Sequence, residues 1–130
     1  MTKESLKIIS DAMKNLGLNY SFMEYYVEDG EEVKYPYFVG EYQEIAPLNE
    51  DGMNESTFLL TGFSRKSWIA LEDAKEQIES YFRRVGGKTV IAEDGTAVAV
   101  FYSNSLVIPT GDAELKKIQI NLDVKEWSVK

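Results

Sequence analysis

The chain has no cysteine, no histidine and only three prolines, and between residues 21 and 55 it has a single base. Without cysteine there is no disulfide framework and no thiolate centre. Without histidine the commonest metal ligand and the commonest general base near neutral pH are missing. Most familiar catalytic constellations go with them, and no catalytic residue is expected. No apolar run approaches the roughly 18 residues that span a bilayer. The opening Met1-Thr2-Lys3-Glu4-Ser5 holds no cleavable apolar region. The expectation is a cytoplasmic protein with no membrane partner. What is present is the composition of a folded protein: 130 residues, 44% hydrophobic, a mean hydropathy of -0.30 and no low-complexity run. That length fits one domain, 1–130, with a core of its own.

Charge is informative by position. Residues 21–55 contain ten acids (Glu24, Glu28, Asp29, Glu31, Glu32, Glu41, Glu44, Glu50, Asp51, Glu55) against Lys34 alone, a net of -9, while the remainder is +1 within a total of -8. A surface so biased repels phosphate backbones, so no nucleic-acid partner is expected. Its plainest reading is a solvated acidic hairpin that aids solubility. Glu41 and Glu44 come nearest to a carboxylate pair for acid–base work, yet a solvated surface explains them more economically. The run Asn49-Glu50-Asp51-Gly52 lacks the alternating acids and closing Glu of a calcium loop, so neither metal nor cofactor is expected.

Ser56 to Arg84 organises the rest. Thr57-Phe58-Leu59-Leu60-Thr61-Gly62-Phe63-Ser64 is rich in β-branched and aromatic residues with apolar groups on both faces, which predicts an inner strand. Leu71, Ala74, Ile78, Tyr81, Phe82 and Val85 then follow at the spacing of one helical face, ended by Gly86-Gly87. Acids early in this helix and Arg83, Arg84 and Lys88 late complement its dipole, and Glu79 and Arg83 stand four apart. Gly87-Lys88-Thr89 imitates the tail of a phosphate-binding loop, but the helix-then-strand order is wrong for one.

Before this stretch, Thr2 caps a helix over residues 3–16 in which Leu6, Ile9, Met13 and Leu16 form one face. Gly17 then supplies the left-handed residue, and Leu18 folds back on Met13. Tyr20 to Val27 and Val33 to Ile45 predict two strands joined through Asp29-Gly30, with Pro36 marking a strand start or an edge. Ala46 to Ser56 reads as a loop. After the helix, Thr89–Ala92 and Thr96–Tyr102 flank Glu93-Asp94-Gly95 as a hairpin, and Leu106-Val107-Ile108-Pro109 forms a further extended piece. Ile118, Ile120, Leu122 and Val124 alternate along a final strand. Trp127 and Val129 break that alternation, which predicts a bulge or bend near Lys125. The fold class expected is α+β, a mostly antiparallel sheet with two helices packed on one face.

The order and local patterns resemble the tail terminator and tail-to-head joining proteins of long-tailed bacteriophages and prophages. The matching pieces are the N-terminal helix ending at Gly17, Tyr35 to Tyr42, the Phe58 to Phe63 strand running into Leu71 to Ile78, and Ile118 to Val124. The resemblance implies a structural protein that forms a ring, typically of six copies, on the tail tube and offers a surface to the head connector. It implies location in the bacterial host cytoplasm and in the virion. The family has no catalytic residues to carry over. In a head-to-tail ring each subunit presents two different surfaces. On charge, Glu28, Asp29, Glu31 and Glu32 of one subunit would face Arg65, Lys66, Arg83 and Arg84 of the next. The competing class is a small-molecule effector-binding module for cationic or aromatic ligands, its cleft built from Tyr20, Tyr25, Tyr26, Tyr37, Tyr42, Trp68 and Trp127.

Overall fold

The computed structural model describes residues 1–45, 52–65 and 67–127. In chain order the elements are α1 (Lys3–Asn15), β1 (Asn19–Phe22), β2 (Tyr37–Ile45), β3 (Met53–Ser64), α2 (Trp68–Phe82), β4 (Lys88–Ile91), β5 (Ala97–Ile108) and β6 (Lys116–Trp127). The six strands form one curled sheet in the order β1-β2-β3-β6-β5-β4. All neighbours are antiparallel except β1 and β2.

The α1 termini follow from its end residues. Thr2 Oγ1 accepts from the Ser5 amide at 3.2 Å, satisfying one of the free amides of the first turn. At the other end Gly17 adopts φ +72°, and the Gly17 and Leu18 amides donate to the Lys14 and Met13 carbonyls, both at 3.0 Å. This is the paired-bond ending that the Gly17-Leu18 sequence predicts.

β3 lies inside the sheet as expected, between β2 and β6, and starts earlier than its composition indicates. Residues 53–56 belong to the strand and not to a loop; residues 46–51, which include most of the Asn49-Glu50-Asp51-Gly52 run, lie outside the described residues. Cross-strand pairing with Trp127 to Val124 overrides the weak strand propensity of Met53-Asn54-Glu55-Ser56. Even-numbered residues of β3 and β6 point to one face and meet both helices there. Ile9 and Met13 of α1, with Leu71, Ile78 and Phe82 of α2, join Phe38, Phe58, Leu60, Val100, Ile120 and Leu122 in a single buried cluster. Two glycines make room for rings on this face: a Cβ on Gly62 would lie 2.5 Å from the Phe38 ring, and one on Gly40 would lie 2.5 Å from Phe58.

Four local expectations are corrected. The segment after Tyr20 forms no hairpin, because β1 and β2 run parallel and residues 23–36 return the chain from the end of β1 to the start of β2. The turn at Gly30 does form, with φ +88° and a Glu31 amide donating to the Glu28 carbonyl, but it joins no strands. α2 stops at Phe82, where Arg83 takes φ +58°, so Val85 is 87% exposed and no basic residue lies in the last turn. Arg83 consequently makes no side-chain pair with Glu79; its guanidinium donates to the Gly87 carbonyl at 3.0 Å. Finally, β6 keeps its alternation through Trp127, with Glu126 buried at a position where the alternation calls for an apolar residue, and Val129 lies outside the described residues. The sheet's register shift is in β5, between Tyr102 and Asn104.

Candidate functional site

The charged residues singled out by the sequence fall mainly on the two opposite edges of the sheet. At the β1–β2 edge, Met23 takes φ +69° and directs the chain away from the sheet. Tyr25 then fixes the path of the connection to β2. Its ring stacks on Tyr37 with centroids 4.2 Å apart, and its hydroxyl accepts from Asn19 Nδ2 at 2.9 Å and from the Lys34 amide at 3.4 Å. Burial, then the neighbouring Tyr35 and Tyr25 phenols, raises the pKa of Tyr37. Between these anchors Glu28, Asp29, Glu31 and Glu32 are all exposed. Glu41 and Glu44 extend the acidic edge along β2, but three residues apart on a strand they point to opposite faces and form no carboxylate pair.

The β5–β4 edge carries the bases Arg83, Arg84 and Lys88 where α2 meets it, and the acids Glu93 and Asp94 in the turn that joins β4 to β5. Arg83 is locked into the chain: its amide donates to the Glu79 carbonyl, and its own carbonyl accepts from the Tyr102 amide at 3.1 Å. The Arg84 guanidinium lies over the Tyr102 ring, 5.7 Å from its centroid, and Lys88 Nζ lies 4.9 Å from that of Tyr81. These three cations border a strand edge with exposed Leu106 and Val107. Arg65 belongs elsewhere. It follows β3 near the acidic edge, and a hydrogen bond with Tyr35, ahead of the charge of Asp112 at 3.4 Å, raises its pKa. It is thereby paired within its own chain. Lys66 lies outside the described residues.

The aromatic residues considered for a ligand cleft are dispersed. Tyr25 and Tyr37 stack on the sheet face away from the helices, while Tyr42 stacks with Phe22 on the helix side. Burial pushes the Tyr20 phenol up to about 12 beside Gly40. Trp68 lines a cavity of about 360 Å³ with Val107, Pro109 and Leu115, and none of the other six rings reaches it.

Sequence reasoning missed Glu126. The carboxylate is 4% exposed, and Oε2 accepts from the Thr2 amide at 3.0 Å, Thr2 Oγ1 at 2.8 Å and Ser5 Oγ at 2.5 Å. Burial opposes its ionisation, but the bonds from Ser5 and Thr2 and the nearby amino terminus outweigh that and hold its pKa below the ordinary carboxylate value. The readable signal was an acid in phase with Ile118, Ile120, Leu122 and Val124.

Among the described residues no cluster of three or more acids, histidines or cysteines is placed to hold a metal, and no helix is long and apolar enough to cross a membrane. What the arrangement offers is two unlike edges of one sheet, one acidic and one with a basic cluster at the end of α2. Such edges favour contact with a differently charged surface over self-complementary pairing. No protein-family model matches this chain, and no curated protein matches it.

Proposed function

We propose that the protein is a structural component of phage or prophage morphogenesis that assembles head to tail into a ring, caps the tail tube and joins tail to head. The observation that carries this reading is the separation of charge between opposite sheet edges: Glu28, Asp29, Glu31 and Glu32 at one, Arg83, Arg84 and Lys88 at the other. A heterologous contact between unlike edges generates a closed ring when the rotation per subunit closes. The α+β fold, with its Gly17-ended first helix and its β3-to-α2 passage, agrees with the resemblance to tail-end proteins, which supplies the tail tube and head connector as partners. The subunits work in the host cytoplasm and remain in the virion. The chemistry is one of association, and no step is catalysed.

The test is binding of the purified protein to tail tubes of the same host, with gold labelling to locate it. Labelling confined to one tube end supports the reading. Failure to bind tubes that accept other tail proteins overturns it, and a screen of aromatic cations by tryptophan fluorescence then tests the effector-binding alternative.

A further inference from the structure

The two edges of the sheet are also stepped, and the steps match. β4 covers only Ala97–Val100 of β5, so the outer edge of β5 from Ser103 to Ile108 has no strand partner among the described residues. The Tyr102 amide donates outward to Arg83, which makes Tyr102 a position whose main-chain groups point away from β6. Past the register shift the alternation of an antiparallel ladder then turns the main-chain groups of Ser105 and Val107 outward. On the other side β1 covers only Tyr37–Gly40 of β2, and the outer edge of Glu41–Ile45 has no strand partner among the described residues.

Level and direction both fit. Followed across the sheet, Asn19–Phe22 stands level with Tyr37–Gly40, then Phe63–Leu60, Lys117–Ile120 and Ile108–Ser105. The projecting β1 therefore lies at the height of the open part of β5. Counting strand senses across the ladder, β1 runs opposite to β5, so a second copy placed alongside in the same orientation would pair them antiparallel. At the other end of the step, Lys88 stands level with Val100, Val124, Ser56 and finally Glu44, whose carboxylate already pairs with the Met1 amino terminus of its own chain. The open segment Ser103-Asn104-Ser105-Leu106-Val107-Ile108 carries no charge and no proline, the usual guards of a free edge.

We infer that β1 of one copy of this chain pairs with the open edge of β5 of the next, making the sheet continuous between subunits. This rests on the head-to-tail reading above and names the surface that it uses. The occupant is a second copy because the step and the strand sense are both supplied by this chain itself.

The absence of cysteine makes single-cysteine variants a background-free probe of proximity. Ser21 and Leu106 stand level on the same sheet face, and Leu106 is 48% exposed. Purified S21C and L106C proteins are mixed at high concentration and oxidised. Because a disulfide needs Cα atoms within about 7 Å, the mixed dimer is expected about tenfold above either homodimer. Val107→Lys in the L106C background places a charge on the edge and should return the yield to the homodimer level. Circular dichroism confirms that the variant is folded, as its 53% exposed position allows. A mixed yield equal to the homodimer yields overturns the inference. Cross-linking without tube binding leaves the paired edge standing and removes the tail reading; tube binding without cross-linking does the reverse.

Discussion

Glu126 shows how one side chain ties the two ends of the described chain together. Its carboxylate takes three hydrogen bonds from Thr2 and Ser5, so the first turn of α1 is anchored to the end of β6. Glu126→Gln keeps the shape but turns one acceptor into a donor facing donors, and it should cost about 1–3 kcal/mol of stability at neutral pH in urea unfolding. The pH dependence has a definite sign. Because the folded-state pKa lies below the ordinary 4.5, the contribution is complete above that value and is lost as pH falls below it through the folded-state pKa. The wild type should therefore lose stability more steeply than Glu126→Gln over that acid window; parallel curves would contradict the assignment. Gly62 makes a second residue-scale prediction. With the Phe38 ring 2.5 Å from any added Cβ, Gly62→Val should cost about 1–3 kcal/mol by overpacking, again read in urea.

At the scale of elements, the connection between β1 and β2 is fastened by aromatic residues, Tyr25 and Tyr35, that both pack on Tyr37. Tyr25 stacks on Tyr37, which in turn lies 5.0 Å from the Phe63 ring, so the acidic segment is fastened to β3 through a ladder of rings. Tyr25→Phe keeps the stack and removes the acceptor used by Asn19 and Lys34, at a cost of about 1 kcal/mol. A protease specific for glutamate should then cut at Glu28, Glu31 or Glu32 faster than in the wild type, with little change in global unfolding. A matching fall in global stability would mean that the hydroxyl supports the core instead of the connection. The end of α2 is the other informative element: the helix stops at Arg83 rather than at Gly86-Gly87 because the Arg83 carbonyl is drawn to the Tyr102 amide of β5.

For the whole molecule the consequence is electrostatic. If copies associate through the acidic and basic edges, the association rate should fall as ionic strength rises, since the Debye length shrinks from about 10 Å at 0.1 M to about 3 Å at 1 M. Arg83→Glu with Arg84→Glu should slow association about tenfold at low salt; because it also removes the Arg83 bond to the Gly87 carbonyl, circular dichroism of the variant is recorded alongside. Unchanged assembly in that variant, measured by light scattering or on tail tubes, would remove these two residues from the interface. Arg65→Glu should act differently: Arg65 already pairs with Asp112 and Tyr35, so its loss disturbs its own chain before it disturbs a neighbour.

Much of this architecture was already determined by local chemistry. The Thr2 cap, the Gly17-Leu18 ending, the inner strand around Leu60 and the Glu93-Asp94-Gly95 hairpin depend on neighbours in the chain, and periodicity and turn preference report those directly. The acidic segment was equally visible. Only the tertiary structure decided that β1 lies parallel to β2, because pairing sense depends on where residues 23–36 travel and not on their composition. It also decided that Glu126 faces inward, where alternation is obeyed at the cost of burying a carboxylate that Thr2 and Ser5 then satisfy. The division of the charged residues between two sheet edges has the same origin: Arg65 and Arg83 look alike in the sequence, and long-range pairing alone sets one beside Asp112 and the other beside Tyr102.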